Sequence, residues 1–220
     1  KNQKGFNRIS WDLKTESFKT ISYKDIDKNN SGTFVKPDKY SAQLYKQIEG
    51  KFSPISEKVY FEIKPLYDRN IENGYDLAVD FWHDVDKLKN KTNNLSDQIK
   101  ETKNKISTML KAYEKAKFTE DKLHLELLNI KTDILSLEQK TKGSKVRSEI
   151  GEQNEYPRLK DYLWAASGSS TYGPTKMHKE SLINANKIFI QLNSELSKIK
   201  QLIPKLIMQL DEIRAPKIKQ

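Results

Sequence analysis

The strongest constraint on this chain is a single repeat. Apolar or small residues recur at alternating steps of four and three through Phe81, Val85, Leu88, Thr92, Leu95, Ile99, Thr102, Ile106, Met109 and Tyr113. Lys, Asp, Glu and Asn fill the positions between them. That spacing lays one narrow apolar stripe along an α-helix. A helix over 77–113 would be roughly 55 Å long and could not bury its stripe alone. Two further stretches supply matching stripes. Leu123, Leu127, Ile130, Ile134, Leu137 and Thr141 form one, and Leu182, Ala185, Phe189, Leu192, Leu196, Ile199 and Ile203 the other. The phase continues through Leu206, Leu210 and Ile213, and Pro204 should kink or restart that last helix.

Three stripes in one chain predict an internal antiparallel bundle over 67–220. The turn at 114–119 makes a coiled-coil hairpin of about 75–142, whose distal half is expected to contain only the first two helices. Thr119 is the predicted N-cap of the second helix, with Glu120 and Asp121 in its first turn, where the dipole favours acids. Lys140, Lys142 and Gly143 suit its end. Residues 143–156 read as loop, Pro157 as the opening of a short helix, and Gly168–Pro174 as the strongest loop signal of the second half.

Residues 1–66 carry a different period. Ile9, Trp11 and Leu13 alternate, as do Tyr40, Ala42 and Leu44, and again Val59, Phe61 and Ile63. Phe18–Tyr23 is another β-prone run, and Asp27–Gly32 has turn chemistry. Pro65 ends the last strand, and Leu66–Gly74 links it to the helices. The expected class is α+β: a small, incomplete antiparallel β-sandwich of the immunoglobulin or fibronectin-III kind, then the helical bundle. About 60 residues give four or five strands where roughly seven are usual, so strands preceding Lys1 are expected.

The net charge of +10 arises from 40 Lys and Arg against 30 Asp and Glu. These charges are interleaved and not clustered, which reads as a solvated lysine-rich surface and makes a nucleic-acid-binding coiled coil the least favoured alternative. With no cysteine, disulfides, thiolate metal sites and Cys nucleophiles are excluded. His83, His124 and His178 fall on separate segments without ligand spacing, so no metal or other cofactor is expected. Ser167-Gly168-Ser169-Ser170 lacks the flanks of a nucleophile elbow or a P-loop. No catalytic residue is assigned. Two clusters are candidate partner contacts: the aromatics and arginine of the short helix (Tyr156, Arg158, Tyr162, Trp164, Tyr172) and the hairpin tip (Lys111, Lys115, Phe118). Trp11 reads as the core anchor of the β part.

Three short segments, in order, carry a resemblance. Gly5-Phe6-Asn7-Arg8-Ile9-Ser10-Trp11-Asp12-Leu13 resembles a G-x-N-R-x-x-W-D-L strand, and Pro37-Asp38-Lys39-Tyr40-Ser41-Ala42-Gln43-Leu44 a P-G-x-Y-x-v-x-L strand. Tyr156-Pro157-Arg158-Leu159, Leu163-Trp164 and Pro174-Thr175 resemble a P-P-R-L…L-Y…P-T segment. Together they resemble the C-terminal region of exported sortilin-like β-propeller proteins of Bacteroidetes, often labelled glycosyl hydrolases. Asp38 stands where that pattern has Gly, and Trp164 where it has Tyr. The resemblance implies an exported, non-catalytic interaction or scaffolding module, with any propeller and any glycan- or peptide-processing activity lying upstream. Its implied partners are proteins, such as that propeller or an envelope complex. The chain itself is expected to be a monomer or part of a hetero-complex.

Overall fold

A computed structural model describes residues 5–17, 31–66, 74–153, 157–168 and 173–218. The fold is α+β, with small antiparallel sheets preceding the helices. Among the described residues six strands come first: β1 (Lys14–Glu16), β2 (Ser31–Phe34), β3 (Asp38–Ala42), β4 (Tyr45–Ile48), β5 (Lys51–Pro54) and β6 (Val59–Ile63). The described helices follow: α1 (Gly74–Tyr113), α2 (Asp121–Lys142), α3 (Lys145–Glu149), α4 (Leu159–Ala165) and α5 (Lys176–Glu212). The chain divides into two compact units, one of residues 1–86 with 168–174, the other of 87–167 with 175–220. The division falls inside α1, after Asp86.

In the first unit the described strands pair as three two-stranded antiparallel sheets, β1–β2, β3–β6 and β4–β5. These pairs are narrower than the sheets of an immunoglobulin-type sandwich. β3 to β6 form one long hairpin. Asp38 pairs with Ile63 and Ala42 with Val59, and beyond a break Tyr45 pairs with Pro54 and Ile48 with Lys51. Across the break the Ile55 amide donates to the Leu44 carbonyl at 2.9 Å, and the Leu44 amide to Ser56 Oγ at 2.9 Å. The tip is the two-residue turn Glu49-Gly50, at φ +49° and +78°. Positive φ at both positions matches the right-handed twist of the flanking strands.

Two strand expectations shift. Ile9, Trp11 and Leu13 lie outside any strand, and Leu44 falls between β3 and β4. A strand needs a ladder partner, and β2 pairs with Lys14–Glu16, which Leu13 at φ +57° turns the chain to reach. Trp11 is 44% exposed and so is a surface contact rather than the core anchor expected of it. It meets Tyr40 and Phe61 edge-on at 5.7 and 6.2 Å, and its Nε1–H donates to the Lys14 carbonyl at 2.8 Å. The run Phe18–Tyr23 and the turn residues 27–30 lie outside the described residues. On the helical part of this unit, Trp82 is buried against Phe81, with ring centroids 4.9 Å apart.

The second unit is built on the three stripes. Every seam position from Leu88 to Tyr113 is buried, and so is every one from Leu123 to Thr141. With Leu192, Leu196, Leu206, Leu210 and Ile213 of the last stripe they form one core, joined by Leu159 and Leu163 of α4. Each fully buried leucine contributes about 1.5–3 kcal/mol, so the stripes dominate the stability of this unit. Ion pairs order the helices: Lys103 reaches Glu138 at 2.7 Å, Lys140 reaches Glu195 at 3.8 Å, and Lys205 reaches Glu126 at 3.4 Å. The last two pairs make α5 antiparallel to α2.

Several local expectations are corrected. The hairpin of α1 and α2 is not a two-helix extension, because α5 runs on to its tip, where the Phe118 amide donates to the Ile213 carbonyl at 3.3 Å. Pro204 does not restart α5. It sits on the exposed side, while Ile199, Leu206 and Leu210 stay buried in one phase. The residue capping α2 is Glu120 rather than Thr119, and it makes no side-chain cap bond. The loop at 143–156 contains α3, capped by Ser144 Oγ, which accepts from the Arg147 amide at 3.4 Å.

Candidate functional site

The short-helix cluster is built on Arg158. Its amide donates to Asp161 Oδ2 at 2.9 Å, satisfying one orphan donor at the start of α4. Its guanidinium grips the same carboxylate through Nε at 2.7 Å and Nη2 at 2.8 Å, and Nη1 donates to the Lys142 carbonyl at 3.3 Å. The guanidinium beside Asp161 holds that carboxyl below the ordinary carboxylate range. Arg158 thus ties the start of α4 to the end of α2. Leu159 and Leu163 point into the core, Tyr162 packs against it half-buried, and Trp164 stands on the opposite face, 82% exposed. Tyr156 and Tyr172 lie outside the described residues.

The tip cluster is also partly structural. Tyr113 stacks on His124 with centroids 4.9 Å apart, and its hydroxyl accepts from the Glu120 amide at 3.2 Å. Phe118 lies under the Arg214 guanidinium at 5.6 Å. Lys111 and Lys115 are exposed. Of the other histidines, His178 caps α5: its Nδ1 accepts from the Thr175 amide at 3.2 Å while Thr175 Oγ1 accepts from the His178 amide at 3.3 Å. Among the described residues no group of three or more His, Asp or Glu is placed to hold a metal ion. No described helix is long and apolar enough to cross a membrane.

The surface that sequence reading missed is the β4–β5 ribbon. Because cross-strand partners share a face, the register puts Tyr45, Gln47, Phe52 and Pro54 on one side. Phe52 is 70% exposed and Tyr45 52%. Ile48 and Ile55 are exposed nearby. The signal was legible in Tyr45-Lys46-Gln47-Ile48-Glu49-Gly50-Lys51-Phe52: two short β-prone runs separated by a Gly-containing dipeptide. No protein-family model, curated protein or solved structure matches this chain.

Proposed function

We propose that this chain is a non-catalytic protein-interaction or scaffolding module, the C-terminal part of a larger exported β-propeller protein. The observation that carries the reading is the exposed Tyr45–Phe52–Pro54 face of the β4–β5 ribbon. Contiguous apolar surface of this kind marks a contact site, and a ring offers a large rigid contact area at little entropic cost. Trp164, exposed on α4 while its neighbours Leu159 and Leu163 hold the helix to the core, supports the same reading. The motif resemblance over Gly5–Leu13, Pro37–Leu44 and the Arg158 region supports an exported setting beside a propeller. The partner is then a protein, either that propeller or another envelope component.

The test is a photo-crosslinking amino acid at position 52 in the host protein, in its own cell envelope. A discrete adduct that disappears with Tyr45→Ser is expected. No adduct, or turnover of a glycan or peptide panel by this chain alone, would overturn the proposal.

A further inference from the structure

The β4–β5 ribbon has edges as well as faces. The Ile55 amide donates to the Leu44 carbonyl at 2.9 Å, so residues 44 and 55 form a hydrogen-bonded pair. In an antiparallel ladder, bonded and non-bonded pairs alternate. Along the same register Lys46–Ser53 and Ile48–Lys51 are bonded pairs, and Tyr45–Pro54 and Gln47–Phe52 are not. The amides and carbonyls of the non-bonded pairs point away from the ribbon. The β4 edge therefore presents a donor and an acceptor at Tyr45 and again at Gln47. The β5 edge presents both at Phe52 but only a carbonyl at Pro54, because proline has no N–H. Among the described residues no third strand adjoins β4, and its whole length is exposed. The two faces differ in chemistry. Opposite the face of Tyr45, Gln47, Phe52 and Pro54 lies one of Lys46, Ile48, Lys51 and Ser53, and among the described residues neither lysine meets a carboxylate.

We propose that β4 takes an extended segment of the partner protein as a third strand, and that this segment alternates apolar with acidic side chains. The proposal rests on the interaction-module reading of the same ribbon and gives its partner a form. An unpaired strand edge is a template for extended backbone. In strand addition the main-chain bonds supply affinity and the alternate side chains supply specificity. Residues of the incoming strand bonded to Tyr45 and Gln47 share the aromatic face, so apolar groups fit there. Residues on its other face lie beside Lys46, with Lys51 one strand further on, so carboxylates fit there. A second copy of this chain does not meet that requirement. Pairing both outward residues of one β4 with those of another sets Lys46 directly against Lys46, and like charges directly opposite are destabilising. Pro54 leaves the β5 edge one donor short for the same role.

The probe is an end-capped peptide alternating valine with glutamate, titrated into the whole chain to about 1 mM, with a valine–lysine peptide as the control. The acidic peptide should slow hydrogen exchange at the Tyr45 and Gln47 amides about 3-fold or more and leave the Phe52 amide unchanged. It should bind about 3-fold or more tightly than the basic one. Gln47→Pro removes an outward amide and no ladder bond, and should abolish the protection at Tyr45. K46E combined with K51E should reverse the preference between the two peptides, a gain that only a folded ribbon can give. No protection at Tyr45 and Gln47, protection at Phe52 instead, equal binding of both peptides, or protection that rises with protein concentration in the absence of peptide would each overturn the proposal. A crosslinked adduct at position 52 whose yield is unchanged by Q47P and by the double lysine variant would overturn strand addition and leave the interaction-module reading standing. The absence of any adduct would overturn both.

Discussion

Glu138 shows how a single charge is held in the bundle. Burial works to raise its pKa, but hydrogen bonds and charge from Lys103 at 2.7 Å and Lys142 at 3.0 Å outweigh it and hold the carboxyl below the ordinary range. A depressed folded pKa contributes stability that is complete above the unfolded value of about 4.3 and is lost as the pH falls through the folded one. Glu138→Gln should therefore be less stable than wild type at pH 7, and urea melts of the two should converge as the pH falls through the depressed folded value. Gly168 is constrained by packing. A Cβ there would lie 2.6 Å from the Trp82 ring, which is itself buried. Gly168→Ala should cost about 1–3 kcal/mol and alter the near-UV circular dichroism from Trp82. Neither constraint was legible in the sequence. Glu138 is one of many acids among lysines, and Gly168 sits in what reads as an ordinary loop. Residues distant in the chain, Lys103 and Trp82, decide both cases.

At the scale of elements, α5 accommodates Pro204 because the proline lies on its exposed side. The missing N–H leaves the Lys200 carbonyl without its helical partner, and on that side water can replace it. Pro204→Ala should raise stability by about 1–3 kcal/mol, measured by thermal and urea unfolding, with no change in helix content beyond a turn. The helices were legible because a heptad stripe is a local, redundant signal, and every seam position of α2 from Leu123 to Thr141 is buried as its spacing implies. The strands were less legible. Short β-prone runs become strands only where a ladder partner exists, so Ile9, Trp11 and Leu13 lie outside any strand and Tyr45–Pro54 forms a ribbon around Glu49-Gly50. The candidate site divides the same way. Trp164 was legible as an unusual aromatic on a short helix, whereas the commitment of Arg158 to Asp161 and the Lys142 carbonyl was not.

For the whole molecule, the two units rest on different physics. The bundle buries a continuous core from Leu88 to Ile213. The β part is assembled from two-stranded pairs with exposed Tyr45, Phe52 and Val59, and isolated ribbons are marginal in water. Hydrogen exchange should therefore show the amides of α1, α2 and α5 after Asp86 protected at least ~100-fold more than those of β3 to β6. Equal protection would mean that the ribbons share the bundle's cooperative unfolding. The sequence by itself determined the α+β class, the three long helices and their inward faces, because helical periodicity is written in consecutive residues. Only the tertiary structure decided that α5 reaches the hairpin tip at Phe118, that Arg158 ties α4 to α2, and which apolar residues remain exposed. Those outcomes depend on which surfaces meet across long stretches of chain, and burial and pairing partners are non-local properties that no window of sequence contains.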